Sequence, residues 1–155
     1  MVLAQFLLYD RFDLAQKKRD FDYYEPLTTH DSSLSACIFG IMAAEVGYPE
    51  KAYRYFIETA VADLDNKKGN TKDGIHAANM AGAWQSITFG FAGMRVGDKL
   101  SFKPMIPDHW QSYSFKIRYR KRQIGVTITQ SDQHFKLLDG DPLEIEVAGE
   151  GVWLM

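Results

Sequence analysis

The stretch Trp84 to Tyr119, WQSITFGFAGMRVGDKLSFKPMIPDHWQSYSFKIRY, decides the fold, because the spacing of its apolar residues changes part-way along. Before it and into it, Met80, Trp84, Ile87, Thr88 and Phe91 form a loose helical stripe. Beyond it, Tyr113, Phe115, Ile117 and Tyr119 alternate with polar residues, the period of a strand with one buried face. The change falls near residue 98, and Gly93 to Gly97 is the natural boundary. Working back from it, Tyr53, Phe56, Ile57, Ala60, Val61 and Leu64 make a tighter helical stripe. Leu34, Cys37, Ile38, Ile41 and Met42 make another, and Val2, Leu3, Phe6 and Leu7 read as the end of one more helix. Working forward, Ile124, Val126 and Ile128, then Leu143, Ile145 and Val147, keep the period of two. Turn-like residues at 120–123 and 139–142 separate them. The expectation is an α+β chain: about four helices over residues 1–96, then an antiparallel β unit of about five to seven strands over residues 97–155.

Local punctuation supports the helices. Ser32 or Ser33 can cap the helix that follows by accepting a backbone N–H. Gly47 sits where a helix end wants a left-handed residue, and Pro49 suits the first turn of the next helix. The short link Gly47-Tyr48-Pro49 predicts an antiparallel helical hairpin. About four helices cannot close a core alone if their stripes also face absent neighbours, and helix pairs of this kind are typical of α/α barrels. Met1 enters a helix with no cap before it, which points to a truncated domain.

Composition removes several function classes. The 155 residues carry a net charge of −2, which gives no electrostatic case for nucleic acid or an anionic membrane. Apolar residues make up 46% and charged residues 25%, as in a soluble globular chain. The longest apolar run, Cys37 to Ala44, is closed by Glu45 and is far too short to span a bilayer. Met1 to Leu8 has no basic leader and reads as a core helix, not a signal peptide. A lone cysteine, Cys37, fits a reducing, cytoplasmic setting. No His/Cys spacing suits a metal, no glycine motif suits a nucleotide, and no nucleophile elbow is present, so no cofactor is expected. The basic run Lys116 to Arg122 reads as a solvated strand face.

Two polar clusters interrupt the helical pattern. The first, Tyr23-Tyr24-Glu25-Pro26-Leu27-Thr28-Thr29-His30-Asp31-Ser32-Ser33-Leu34-Ser35, ends at a helix start. There hydroxyls, backbone N–H groups and the positive end of the helix dipole can meet an anion. The second, Asp73-Gly74-Ile75-His76-Ala77-Ala78-Asn79-Met80-Ala81-Gly82-Ala83-Trp84, opens another helix, and His76 can donate to an anion near neutral pH. Spacing alone leaves the plainer reading open for both: a capped loop, a cap histidine, and a Gly82 that allows close helix packing. Glu25 and Asp31 are the carboxylates that a two-carboxylate glycosidic mechanism could use.

In order, these clusters resemble segments of glycoside hydrolase family 65, the maltose, kojibiose and trehalose phosphorylases. Further segments add to the likeness: Thr59 to Asp65, Phe89 to Val96, and Leu100 to Tyr119. The resemblance covers nearly the whole chain. It implies the last helices of an (α/α)6 barrel followed by a small antiparallel β-sandwich domain. It implies a parent enzyme that breaks an α-linked glucose disaccharide with inorganic phosphate and releases β-glucose 1-phosphate with inversion. On that mapping Ser32, Ser33 and His76 bind phosphate, backbone near Ala81 and Gly82 helps, and Glu25 and Asp31 support them. The family's glutamate acid has no counterpart here and Ala83 stands where threonine is common, so the chain alone is expected to be inactive. Two alternatives stay open: a fragment of a hydrolase of the same family, and a non-catalytic interaction module. Uncovered barrel helices would leave an apolar surface that drives self-association or docking of the missing N-terminal part.

Overall fold

A computed structural model describes residues 1–66, 69 and 71–155. The chain divides into two compact units, Met1–Gly90 and Phe91–Met155. The first holds α1 (Val2–Leu7), α2 (Leu14–Tyr24), α3 (Ser35–Glu45), α4 (Pro49–Ala60) and α5 (Ala77–Gln85). A π-helical segment, Ser86–Phe91, continues α5. None of the described helices is long and apolar enough to cross a membrane.

Helix ends follow from local chemistry. The Asp13 carboxylate accepts the Gln16 N–H at 2.7 Å and so caps α2. Gly47 takes φ +86°, Tyr48 N–H reaches back to Ala43 O at 2.8 Å, and Gly47 N–H to Ala44 O at 3.2 Å. This left-handed stop satisfies carbonyls that α3 would otherwise leave open, and Pro49 starts α4 two residues later, giving the expected hairpin. The serine cap differs from expectation. Helix α3 starts after Leu34, and Ser32 Oγ instead accepts the Leu34 N–H at 3.3 Å, closing the turn before the helix.

Packing inside the first unit departs from the stripe pattern in an informative way. Helix α3 buries Ala36, Cys37, Phe39, Gly40, Ile41, Met42 and Ala43, so it is covered on nearly all sides and has no single apolar face. Helix α4 turns Ala52, Tyr55 and Thr59 inward, whereas Tyr53, Phe56 and Ile57 are half-buried and Leu64 beyond it is exposed. Gly40 on α3 and Ala52 on α4 let the two helices pack closely around Tyr55. A Cβ added to Gly40 would stand 3.1 Å from the Tyr55 Cβ. The larger stripe of α4 is left facing outward, and Met80 and Trp84 of α5 are likewise exposed.

The second unit contains β1 (Arg95–Val96), β2 (Leu100–Phe102), β3 (Ser112–Tyr119), β4 (Arg122–Thr129), β5 (Gln133–Asp139), β6 (Leu143–Val147) and β7 (Glu150–Leu154). They form a four-stranded sheet, β1-β2-β6-β7, and a three-stranded sheet, β3-β4-β5. Tyr113 lies opposite Ile128, Phe115 opposite Val126 and Ile117 opposite Ile124, so the alternation puts one apolar face inward. Phe102 of one sheet meets Phe135 of the other with ring centres 4.9 Å apart. One pairing is parallel, β2 with β6. Parallel neighbours need a long crossover, and here the whole three-stranded sheet supplies it. The turn Arg120-Lys121 takes positive φ at both residues, as does Ala148-Gly149, the geometry that matches the twist of two-residue hairpins. The basic run behaves as a solvated face: Lys116, Arg118, Arg120 and Lys121 are exposed, while Ile117 and Tyr119 between them are buried.

Candidate functional site

Two helix starts and one helix end in the first unit share a cavity of about 50 Å3, lined by Ser32, Ser33, Ala36, Glu58, Ala62, His76 and Asn79. Ala36 lies in the first turn of α3 and Asn79 in the first turn of α5, so the positive ends of both helix dipoles belong to this region. Glu58 and Ala62 come from the end of α4 and the turn after it.

His76 is the residue that precedes α5, and its side chain is held by Asp63. One Asp63 oxygen lies 2.5 Å from His76 Nδ1, and the other accepts the His76 backbone N–H at 2.8 Å. Both contacts favour the ionised carboxylate. The His76 side-chain bond, its backbone bond and its charge outweigh the opposing effect of burial and hold Asp63 below the usual carboxylate range. With Nδ1 committed to Asp63, a ligand in the cavity has to be addressed through Nε2.

The loop that carries the serines rests on a second network. Tyr55 Oη donates to Glu25 at 2.9 Å and lies 3.2 Å from His30 Nε2, while His30 Nδ1 lies 2.8 Å from Ser35 Oγ. One donor sequence satisfies every atom: Ser35 O–H to Nδ1, Nε2–H to Tyr55 Oη, and Tyr55 O–H to Glu25. Lys51 Nζ at 2.9 Å and Arg54 at 3.4 Å complete the surroundings of Glu25. His30 itself sits at φ 53°, a left-handed conformation that turns the chain into the serine loop. Burial works against ionisation of Glu25, but the bonds from Lys51 and Tyr55 and the charges of Lys51 and Arg54 outweigh it, and its carboxyl lies below the ordinary 4.5. Tyr55 is pushed up to about 12, by burial and then by Glu25, so it remains a donor at neutral pH.

A folded-state value below the unfolded one means that Glu25 stabilises the fold fully above the unfolded 4.5. That contribution is lost as pH falls through the folded value. Glu25→Gln is therefore expected to lower stability at pH 7 by about 1.5–3 kcal/mol, the range for bonds to a charged group. The gap from wild type should narrow as pH falls below 4.5 toward the folded-state value, and thermal melts of both proteins from pH 7 downward check it. A gap that is constant with pH would remove the charge from this account.

The structure thus brings Ser32, Ser33 and His76 to one cavity. Gly82 is not among the lining residues. A Cβ there would come within 3.1 Å of the Cys37 Cβ and 3.3 Å of the Thr59 Cγ2, so its smallness lets α5 lie against α3 and α4. Its carbonyl accepts bonds from Cys37 Sγ and Ser86 Oγ. Glu25 and Asp31 do not line the cavity either; Glu25 anchors the Tyr55–His30 network, and Asp31 accepts a bond from Thr29 Oγ1 at 2.9 Å. Three lining or supporting residues were not singled out from the sequence: Asp63, Glu58 and Asn79. Asn79 follows His76 by three positions on one helix, a spacing that places two residues on one face. Asp63 fell in the family-like segment Thr59 to Asp65 but was given no role there, and Glu58 carried no signal, because their place at the cavity depends on how α4 and α5 meet. Trp110 and Tyr113 contact other rings: Trp110 packs edge-on against Phe91 at 5.0 Å and Tyr113 at 5.9 Å.

Comparison with known sequences matches residues 1–85 to the glycosyl hydrolase family 65 central catalytic domain and residues 94–154 to the family's C-terminal domain. The chain belongs to glycosyl hydrolase family 65. Within the family, it is 52% identical over 150 residues to an alpha,alpha-trehalose phosphorylase of Geobacillus stearothermophilus, covering 96% of this chain and 20% of that protein. It is 44% identical to a maltose phosphorylase of Bacillus subtilis (strain 168), with the same coverage of each. A solved structure described as a kojibiose phosphorylase from the human microbiome superimposes with a TM-score of 0.95 at 31% identity, covering 99% of this chain and 23% of that one. The expected fold, helices of the family 65 catalytic domain followed by its small β domain, is therefore found. The chain spans about a fifth of the length of these family 65 relatives.

Proposed function

We propose that the cavity between the starts of α3 and α5 is the phosphate subsite of an inverting α-glucoside phosphorylase. Ser32 and Ser33 supply hydroxyl donors, His76 supplies an imidazole donor held by Asp63, and the two helix starts supply positive backbone ends. In the complete enzyme, a phosphate oxygen attacks the anomeric carbon from the face opposite the departing sugar. The C–O bond of the glucoside breaks, and a carboxylic acid protonates the leaving oxygen. Phosphate is its own nucleophile, so the subsite needs donors and not a protein base. The acid has no counterpart in this chain. The convergence of Ser32, Ser33 and His76 on one cavity is the observation that carries the reading.

Glu58 lines the same cavity and is the one observation favouring a hydrolase, in which it would be the base acting on water. The donors around it outnumber it, and the curated relatives at 44–52% identity are phosphorylases. The exposed apolar residues Leu3, Leu7, Leu8, Met80 and Trp84 fit a helical unit that docks with further catalytic-domain helices or with itself.

The chain is expected to bind inorganic phosphate at millimolar concentration and to show no turnover of maltose, kojibiose or trehalose with phosphate. Titration followed by NMR of the His76 ring and the Ser33 amide tests the first statement, and a phosphorolysis assay tests the second. No shift at His76 up to high millimolar phosphate would sink the subsite, and turnover by this chain alone would sink the placement of the acid elsewhere.

A further inference from the structure

Asn79 is an anomaly in the first unit. It is 4% exposed and lines the cavity with Ser32, Ser33 and His76, yet its side-chain carbonyl Oδ1 has no hydrogen-bond partner. Its backbone N–H is already used, donating to His76 O at 2.8 Å, so α5 does not need the side chain as a cap. A buried amide oxygen without a partner carries a desolvation cost that natural folds seldom leave uncompensated. Leucine, of similar size, would avoid that cost. An asparagine at such a position therefore points to a ligand that completes its bonding.

We propose that Asn79 is a direct contact of the bound oxyanion, completing the subsite formed by Ser32, Ser33 and His76; this rests on the phosphate reading above. The chemistry suits hydrogen phosphate in particular. Its unprotonated oxygens accept from the amide Nδ2, and its P–OH donates to Oδ1, so whichever end of the amide faces the ligand finds a partner. The spacing suits it too: His76 and Asn79 are three residues apart, so one turn of helix presents an imidazole and an amide to the same cavity. Asp63 fixes the first of these, and Asn79 rides on α5, which Gly82 lets close against α3 and α4.

A purely structural asparagine and a ligand contact predict opposite signs for one substitution. Asn79→Leu is expected to raise the melting temperature of the chain by roughly 2–6 °C, because an unpaired polar group is replaced by an apolar one of similar shape. The same variant should bind inorganic phosphate about 5- to 150-fold more weakly, as expected for a lost bond to a charged ligand. Asn79→Asp, which keeps the shape and adds a negative charge, should weaken phosphate at least as much. Calorimetric titration with inorganic phosphate and a thermal melt of each variant read both quantities. Phosphate binding by Asn79→Leu equal to wild type, or a lowered melting temperature with unchanged binding, overturns the Asn79 contact and leaves the subsite standing. Failure of the wild-type chain to bind phosphate overturns the subsite reading and this contact together.

Discussion

Replacing Glu45 by alanine is expected to destabilise the helical unit by about 3–5 kcal/mol, enough to unfold a marginally stable chain. Lys17 is 4% exposed and its ammonium lies 2.5 Å from Glu45 Oε1 and 2.8 Å from the Tyr9 carbonyl. Removing the carboxylate leaves a buried cation with a carbonyl and no counter-charge, which is the expensive way to break such a pair. The cost belongs to the orphaned charge, so removing both partners should be mild. Lys17→Met combined with Glu45→Leu is expected to return stability to within about 1–2 kcal/mol of wild type. The exposed pair Lys99 and Glu144 offers the contrast, since Lys99→Met should cost under about 1 kcal/mol. Urea unfolding followed by far-ultraviolet circular dichroism measures all of them. A loss below 1 kcal/mol for Glu45→Ala would contradict a desolvated pair. The pair ties α2 to the C-terminal end of α3, the helix whose first turn reaches the cavity, so phosphate binding should fade with stability in the single variant.

The second large effect is expected in the β unit. Gly93 takes φ +58°, and a Cβ built on it would stand 2.5 Å from the Lys103 carbonyl oxygen. The segment is held close on purpose of its hydrogen bonding: Lys103 N–H donates to Ala92 O at 3.2 Å and Met105 N–H to Phe91 O at 2.7 Å. Phe91, Ala92 and Met94 are all buried, so the backbone has no room to retreat. Gly93→Ala adds left-handed strain to a backbone clash and should cost about 2–4 kcal/mol. Gly149 separates the two causes. It has φ +92° but nothing within 4 Å of its added Cβ, so Gly149→Ala should cost only the strain, about 1–2 kcal/mol. Hydrogen exchange of the strand amides in β3 and β4 reads both variants. Equal protection losses would show that strain alone governs Gly93.

Legibility differed between the units for a physical reason. In the β unit, alternation fixes which side chains face inward, because a strand has only two faces. Tyr113, Ile117, Ile124, Val126 and Ile128 were read as inward and are buried. The parallel pairing of β2 with β6 left no mark, since it depends on where a distant strand returns. In the helical unit, the largest apolar stripe did not identify the buried face. Helix α4 turns Ala52, Tyr55 and Thr59 inward toward the helices it packs on, while Tyr53 and Phe56 stay half-buried and Leu64 is exposed. Hydrophobicity says which residues gain from burial, but the neighbours decide which of them are covered.

For the site, the sequence by itself determined the change from helix to strand, the helix stops at Gly47 and Pro49, and the ordered segments that mark family 65. It also singled out Ser32, Ser33 and His76. Those features are local, written in residues that turn, cap or alternate within a few positions of one another. Only the tertiary structure decided that the three residues share a cavity, that Gly82 packs helices and does not line it, that Asp63 holds His76, and that Asn79 lies buried with an unpaired carbonyl. Each of these depends on α3, α4 and α5 meeting in space, and hydrogen bonding and burial between distant residues exist only once they have met.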